Sequence, residues 1–577
     1  MIFHLCLPNF SGRVATTEVK NDLMKAKELG KSNFKSFCEE RLQSEELHKS
    51  FFDKLPKLKL KTFASLQTKH KISMSKGKEI ILKTDRNLVS HMLLVAQTRD
   101  LDIRSVLSFP LGPVPWSLST ADGTLRKTSK STLGNALRKS SPTVMNNVPE
   151  PSAVVVDGMH LLHKISGNNK TFEEIALQVF ATATGALGSS RRIDLVLDVY
   201  KDKSIKGEEM EARGSSLALE YKHINKGHKI KDWHKFLMSS KNKTALATFL
   251  HNEWKCQRYF DKLKGKEFYV TVAEECFRYH ESGCDNVRHL YSNHEEADTR
   301  VFVHAQDASG EYDNVVLYAE DTDILVIGIT LAKSLDCNLI QMTKSAGEVT
   351  YTNITSISDC LGDTLSVSLI GYHAFSGNDA ISAFAGKGKL IGYNILKKNT
   401  EFQETFCQLG QTEHLNENLF NRLDKFVCKM YTSNTEVVDV NDCRYALFTA
   451  RRGEIDSAHL PPCKDSLQQH SIRCNYLAGL WRSSLVHEMD IASPEQHGWE
   501  ETSGQLKPKW MTRLPAPQAV LEMLSCDCRR SCGDSCQCRR NNLKCTPMCR
   551  LQQCDNSPVQ EPIMYDIQDP GSDSEEI

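Results

Sequence analysis

Tyr318-Ala319-Glu320-Asp321-Thr322-Asp323-Ile324-Leu325-Val326-Ile327 joins two apolar runs through an acidic pair. The run before it, Val315 to Tyr318, and the run after it, Ile324 to Ile329, are short and rich in Val, Leu and Ile, which predicts buried strands. In an open parallel sheet, sites form just outside the carboxyl ends of the strands. Asp321 and Asp323 would stand there with both side chains near one point. Two crowded carboxylates repel each other unless a cation lies between them, and hard divalent cations such as Mg²⁺ prefer oxygen ligands of this kind. Alone, an Asp-x-Asp pair is more often a solvated turn carrying two caps.

Similar runs lie upstream. Ala153-Val154-Val155-Val156-Asp157-Gly158 and Ile193-Asp194-Leu195-Val196-Leu197-Asp198 each end on an acid. Helical patterns follow from Met159 and from Phe172 to Thr182. Strands alternating with helices predict an α/β fold, a parallel sheet flanked by helices. Ile324 to Leu331 and Val367 to Ile370 read as further strands of it. His294-Glu295-Glu296-Ala297-Asp298-Thr299-Arg300 heads an apolar helix, where first-turn acids suit the helix dipole without any other role. Residues 200–290 read as mostly helical and polar, with one long helical segment from Asp232 to Trp254. Lys206 and Arg213, seven apart, would share a helix face, as a solvated basic face or as a phosphate clamp. Gly386-Lys387-Gly388-Lys389 is either a plain turn or a set of amides and ammonium groups that holds a phosphate without reading a base.

Length, 577 residues, calls for several domains. Formal net charge is zero, but residues 54–83 carry nine Lys against one acid, and the tail from Glu561 carries six acids and no Lys or Arg. Such asymmetry points to a polyanion near the N-terminal part or to a solvated helix face. No apolar run approaches the roughly 20 residues that span a bilayer. Met1 to Leu7 lacks the basic flank and long apolar core of a signal peptide. A reducing compartment is therefore expected, nucleus or cytoplasm, with no membrane partner. The N-terminal region, 1–148, reads as a mostly helical accessory region. Its last part, Ser117 to Ser141, is a polar linker with five Lys or Arg and no assigned chemistry. Residues 401–520 read as a helical extension and 557–577 as a disordered acidic tail.

The order of the acids resembles the flap-endonuclease/XPG branch of the PIN-like nucleases over about Ala153 to Lys389, and 149–400 is assigned to that core. In that family seven acids in a set order bind two metal ions. The matching positions are Asp157, Asp198, Glu296 and Asp298 in a Glu-Ala-acid motif, Asp321 and Asp323 in Glu-Asp-x-Asp, and Asp379 in Gly-x-Asp. The resemblance implies Mg²⁺ or Mn²⁺ as cofactor, two ions about 4 Å apart. It makes Lys206 and Arg213 the catalytic basic pair at the base of a helical arch. Gly386, Lys387, Gly388 and Lys389 become the hairpin that grips duplex backbone. More narrowly, the chain is similar to a group of animal proteins with a Glu-Ala-Asp-Thr-Arg motif and a Gly-Cys-Asp-Thr segment, the latter Gly377-Asn378-Asp379-Ala380 here.

Near the C-terminus, Cys526, Cys528, Cys532, Cys536, Cys538, Cys545, Cys549 and Cys554 fall within 29 residues. In a reducing compartment that density points to Zn²⁺ thiolate sites. The spacing of 521–556 resembles a tesmin-like CXC module with one late Cys lost, and its eight sulfurs can hold two or three Zn²⁺. CXC modules bind DNA, which makes Arg529, Arg530, Arg539, Arg540 and Lys544 candidate phosphate or groove contacts. Two readings follow. One is a metal-dependent, structure-specific nuclease on nucleic acid, DNA before RNA. The other is a catalytically inactive, transposon-derived or chromatin DNA-binding protein that uses the zinc module. Clustered carboxylates cost stability when no ion is bound, so retention of all seven favours the first.

Overall fold

Six consecutive residues, Ser152–Asp157 (β1), are buried on both faces. That is why this strand reads as an unbroken apolar run and not as an alternating one. In the computed structural model, it lies at the centre of an eight-stranded sheet. The other strands are Arg192–Val196 (β2), Glu267–Val272 (β3), Glu275–His280 (β4), Gly283–Asn286 (β5), Asn314–Tyr318 (β6), Asn338–Ser345 (β7) and Glu348–Asn353 (β8), in the order β8-β7-β6-β1-β2-β3-β4-β5. The inner five run parallel, with Ser152 opposite Asn314 and Ala153 opposite Arg192. The outer strands are antiparallel additions. The α/β expectation holds.

The structure describes residues 17–41, 69–73, 79–83, 89, 92–93, 95–96, 101–140, 145–186, 188–201, 204–206, 220–221, 223–345, 348–432, 436–451, 456–502 and 505–523, and in the Cys-rich segment 526, 528–529, 531–540, 545, 549, 551 and 554–556. Contacts group the chain into two compact units, Met1–Gln67 with Pro115–Thr512, and Thr68–Val114 with Arg513–Ile577. The region expected to be a single N-terminal accessory contributes to both. Among the described residues no helix is long and apolar enough to cross a membrane.

Helices cover both faces of the sheet. On one, Val154, Val156, Ile193, Leu195 and Phe268 pack with Ile175, Val179 and Phe180 of the helix Phe172–Thr184 and with Trp254. Against the other lies Ala297–Ser309, which contacts β1, β2 and β6. Thr171 starts the Phe172 helix with a capping box to Glu174.

Four expectations need correction. Ile324 to Leu331 belongs to a helix, Thr322–Leu331, in which every residue but Thr330 is buried. Val367 to Ile370 lies inside another buried helix, Asp363–Phe375. A helix that is apolar all round has lost the period that tells it from a buried strand. Residues 267–286, expected to be mostly helical, form β3 to β5. Their aromatic and β-branched run Phe268-Tyr269-Val270-Thr271-Val272 was the strand signal. The long segment from Asp232 breaks at Met238, where Ser239 caps a fresh helix, Ser240–Trp254.

One buried ion network braces the sheet. Asp194, in β2, takes two bonds of 3.0 Å from the Arg192 guanidinium and one of 2.8 Å from Nδ1 of His304. Arg192 also reaches Asp307 at 2.6 Å. Asp194→Ala leaves the Arg192 guanidinium with Asp307 alone and the buried His304 Nδ1 without its acceptor, and is expected to cost about 3–5 kcal/mol. Denaturant unfolding followed by circular dichroism measures it, and a loss under about 1 kcal/mol, the range of exposed pairs, would show the network to be dispensable.

Candidate functional site

β1 and β6 lie side by side, yet the chain leaves β1 toward β2 and leaves β6 toward β7. The crevice beyond the carboxyl ends of such a strand pair is where α/β sheets place their sites. Asp157 ends β1. Its Oδ1 accepts from the amides of Met159 and His160 at 2.9 and 3.1 Å, so it also caps the next helix. Asp321 follows β6 and caps Thr322–Leu331, accepting from the Asp323 amide at 2.9 Å. Asp198 follows β2 and accepts from the Ala297 amide at 2.8 Å, at the start of the helix whose cap is Glu296 and whose first turn holds Asp298. Asp379 sits in a loop that needs Gly377. Its φ is +102°, and a Cβ there would lie 2.7 Å from the Ala383 backbone nitrogen. Asn378 shapes the same loop by accepting from the amides of Ala380 and Ile381.

These elements bring the acids together. Asp298, Asp321 and Asp323 place ligand oxygens within 4.8 Å of one another. Asp157 feels the charges of Asp198 and Asp321, and Asp298 feels Asp321, Asp157, Glu296 and Asp323. Burial, then this repulsion, raises Asp157 to about 7 and Asp321 to about 6, and holds Asp298 well above the usual carboxylate range.

Among the described residues two ammonium groups answer the repulsion. Nζ of Lys206 lies 2.7 Å from Asp198 and close enough to Glu296 and Asp298 to feel both. Arg213 lies outside the described residues. The second group is Lys130, at the start of the helix Lys130–Arg138. Its Nζ lies 2.5 Å from Asp379, 3.0 Å from Asp323, and 3.2 and 3.3 Å from the two oxygens of Asp321. It stands in for a cation bridging these three carboxylates. The seat is built: a Cβ at Gly134 would meet Thr322 Oγ1 at 3.1 Å, and Arg138 donates to Gln341, which donates to the Asp321 carbonyl. Lys127 donates to the Asp379 carbonyl at 2.6 Å. Burial would raise Asp323, but Lys130 and a hydrogen bond from His373 outweigh it and hold that carboxyl below its usual range. Lys130 comes from the linker to which the sequence assigned no chemistry. Its only sequence signal was a basic residue in a polar stretch.

Behind Asp323 lies a buried relay. His373 Nε2 is 2.7 Å from Asp323 Oδ1, and Lys389 Nζ is 3.1 Å from His373 Nδ1. The Asp323 carboxylate only accepts, so Nε2 carries the proton toward it and Nδ1 accepts from Lys389. Burial and then Lys389 lower His373 to about 4, which keeps the ring neutral. Lys389 was expected to face a phosphate, but it is buried and also donates to Ser376. Lys387 lies over the Tyr431 ring, while Gly386 and Gly388 are exposed. Arg300 of the Glu-Ala-Asp-Thr-Arg motif is also structural, donating to the carbonyls of Ala273, Glu274 and Glu275.

The all-carboxylate donor set suits a hard divalent cation, and Lys130 marks where positive charge settles. The residues present therefore fit the expected Mg²⁺ or Mn²⁺. The second unit carries a different donor set. Its cysteines form the groups Cys526-Cys528-Cys532-Cys536, Cys526-Cys538-Cys545-Cys549 and Cys532-Cys545-Cys554, none of them in a disulfide. Sulfur separations of 3.5–4.0 Å recur among them. Tetrahedral Zn–S bonds of about 2.3 Å would place sulfurs about 3.8 Å apart, so these groups fit Zn²⁺. Arg529, Arg539 and Arg540 lie in this segment, whereas Arg530 and Lys544 lie outside the described residues.

No family model matches the chain, and no curated protein matches it. Among solved structures the chain is similar to the T5 D15 protein co-crystallized with metal ions, at 14% identity and a TM-score of 0.26, over 56% of this chain and 99% of that one. A likeness of that size fixes no activity.

A pH dependence follows from the raised acids. Asp157 and Asp321 bind protons more tightly in the folded than in the unfolded chain. Their contribution to stability is therefore full at low pH and is lost as pH rises toward about 7 and about 6. A divalent cation must displace those protons. The rise in Tm produced by Mg²⁺ is expected to be larger at pH 8 than at pH 5.5. Equal shifts at both would show that these two carboxylates are not ligands.

Proposed function

We propose that the chain is a metal-dependent phosphodiesterase of flap-endonuclease type, acting on DNA in the nucleus. The observation that carries this is the convergence of acids from five separate stretches of sequence at the carboxyl edge of β1, β2 and β6. Asp157, Asp198, Glu296 and Asp298 would hold one divalent ion, and Asp321, Asp323 and Asp379 a second. Bound there, such ions supply Lewis-acid stabilisation at phosphorus and a more acidic water. Lys206, already between Asp198 and Glu296, is placed to neutralise charge that builds on the scissile phosphate, with Arg213 as its expected companion. The neutral His373 holds Asp323 in one orientation, and Lys389 fixes its tautomer. Backbone amides around Gly386, Lys387 and Gly388, and the arginines of the zinc module, would grip the nucleic-acid backbone.

Lys130 supports the second reading, a DNA-binding scaffold without turnover. It neutralises Asp321, Asp323 and Asp379 without any ion, so their retention does not by itself require catalysis. The two readings part in one assay. Labelled 5′-flap DNA is expected to be cut in Mg²⁺ or Mn²⁺, and Asp321→Asn with Asp323→Asn to lower the rate by about 10³-fold or more. Folded, zinc-loaded protein that binds the flap and cuts neither it nor the matching RNA is the scaffold.

A second outcome concerns the zinc module. Stripping Zn²⁺ with a chelator is expected to weaken flap binding and leave the metal-dependent chemistry of a pre-bound flap intact. A filter-binding titration before and after chelation measures the first, and single-turnover cleavage the second. Unchanged affinity would remove the module from DNA binding.

A further inference from the structure

Among the described residues, one more group of metal-ligating side chains converges apart from the acids and the cysteines. Glu413, His414 and His497 each place a ligand atom within 4.8 Å of the others. Glu413 and His414 lie in an exposed loop, and His497 ends a short 3-10 turn, Pro494–His497.

Both segments are fixed in place. Asn475 accepts from the Gly410 amide at 2.8 Å and donates to the carbonyls of Thr412 and Glu413 at 2.8 and 3.1 Å. Gly410 has φ +83°, and a Cβ there would lie 2.5 Å from the Ala478 backbone. Thr412 donates to the His414 carbonyl. On the other side Gly498, at φ +88°, ends the turn against Arg473 and the Gln469 carbonyl. His497 packs on Tyr476, and the His414 ring stacks parallel to it, 6.0 Å between centroids.

His497 is the informative residue. It is 2% exposed. Its Nδ1 lies 2.9 Å from the Ser493 carbonyl, which can only accept, so Nδ1 carries a proton. In the neutral ring Nε2 then bears a lone pair. That atom is buried and has no hydrogen-bond partner. Glu413 lies 3.8 Å from it, beyond hydrogen-bond range. An imidazolium would leave a buried N–H aimed at a carboxylate it does not reach. A neutral ring leaves a lone pair aimed at Glu413 and His414. The carbonyl on Nδ1 is the arrangement that orients a metal-binding histidine.

We propose that Glu413, His414 and Nε2 of His497 bind one divalent transition-metal ion, Zn²⁺ in the first instance. Two imidazoles and one carboxylate suit Zn²⁺, Co²⁺ or Ni²⁺ and not Mg²⁺. Three protein ligands leave a further coordination position on the solvent side, where Glu413 and His414 are exposed. The ion clasps the 410–414 loop to the 494–497 turn. This assignment does not depend on the nuclease reading.

The test uses untagged full-length protein dialysed at a fixed free Zn²⁺ concentration, with Zn²⁺ per chain counted by mass spectrometry. His414→Ala and Glu413→Gln change exposed residues and spare buried His497. Each variant is expected to hold one Zn²⁺ fewer than the wild type and to lose part of the Zn²⁺-dependent rise in Tm. The count of zinc-protected thiols should stay the same, which separates this site from the cysteines. Equal zinc in all three proteins would overturn the site. So would a Glu413→Gln variant whose Tm drops equally with and without Zn²⁺, since that is the signature of a His497–Glu413 ion pair.

Discussion

Repulsion among carboxylates gathered at one sheet edge is the constraint to which the first unit is built. Three devices oppose it. Amides at helix starts donate to Asp157, Asp198 and Asp321. Lys206 sits at one side of the cluster and Lys130 at the other. His373 and Lys389 brace Asp323 from behind. Burial first and mutual repulsion second push Asp157, Asp298 and Asp321 upward, whereas Lys206 pulls Asp198 down and Lys130 with His373 pulls Asp323 down.

Much of this was legible in the chain because each acid closes an apolar run. A buried strand must end where its backbone meets water, and an acid at that boundary both caps the following helix and faces the crevice. Asp157, Asp198 and Asp321 could therefore be found without any knowledge of their partners. Lys130 could not. It meets Asp379 across 249 residues of sequence, and nothing local distinguishes it from the other basic residues of its linker. His373 and Lys389 were hidden for a different reason. Each lies in a segment whose sequence is explained by something else, an apolar helix and a glycine turn. Burial reverses the meaning of the Gly-Lys-Gly-Lys motif, because the second lysine turns inward. The helices Thr322–Leu331 and Asp363–Phe375 were misread as strands because burial on every side erases periodicity.

The three donor sets divide by hardness. Carboxylates alone collect at the switch point, thiolates alone in the second unit, and the mixed imidazole and carboxylate set at Glu413, His414 and His497. The thiolate and the mixed sets both suit Zn²⁺, whereas the carboxylate set suits harder ions. Mg²⁺ is a poor partner for sulfur, and Zn²⁺ drawn to eight thiols leaves the oxygen cluster to harder ions. A chain with sites of a single hardness would have to rely on metal supply to keep its centres distinct.

Charge balance bears on the question that Lys130 raises. Among the described residues two lysines lie against the seven carboxylates, and these alone leave a large negative excess in the site. Protonation of the three raised acids lowers that excess but does not abolish it, and near neutral pH Asp157 and Asp321 are titrating away from that remedy. A fold that needed only to be stable would replace some of these acids with apolar or amide side chains, a change that is often neutral or stabilising in buried ion clusters. Lys130 compensates Asp321, Asp323 and Asp379, and among the described residues no ammonium lies against Asp157 or Asp298. The uncompensated half is therefore the stronger argument for bound metal. On the other side Lys130 and any ion would compete for the same three carboxylates.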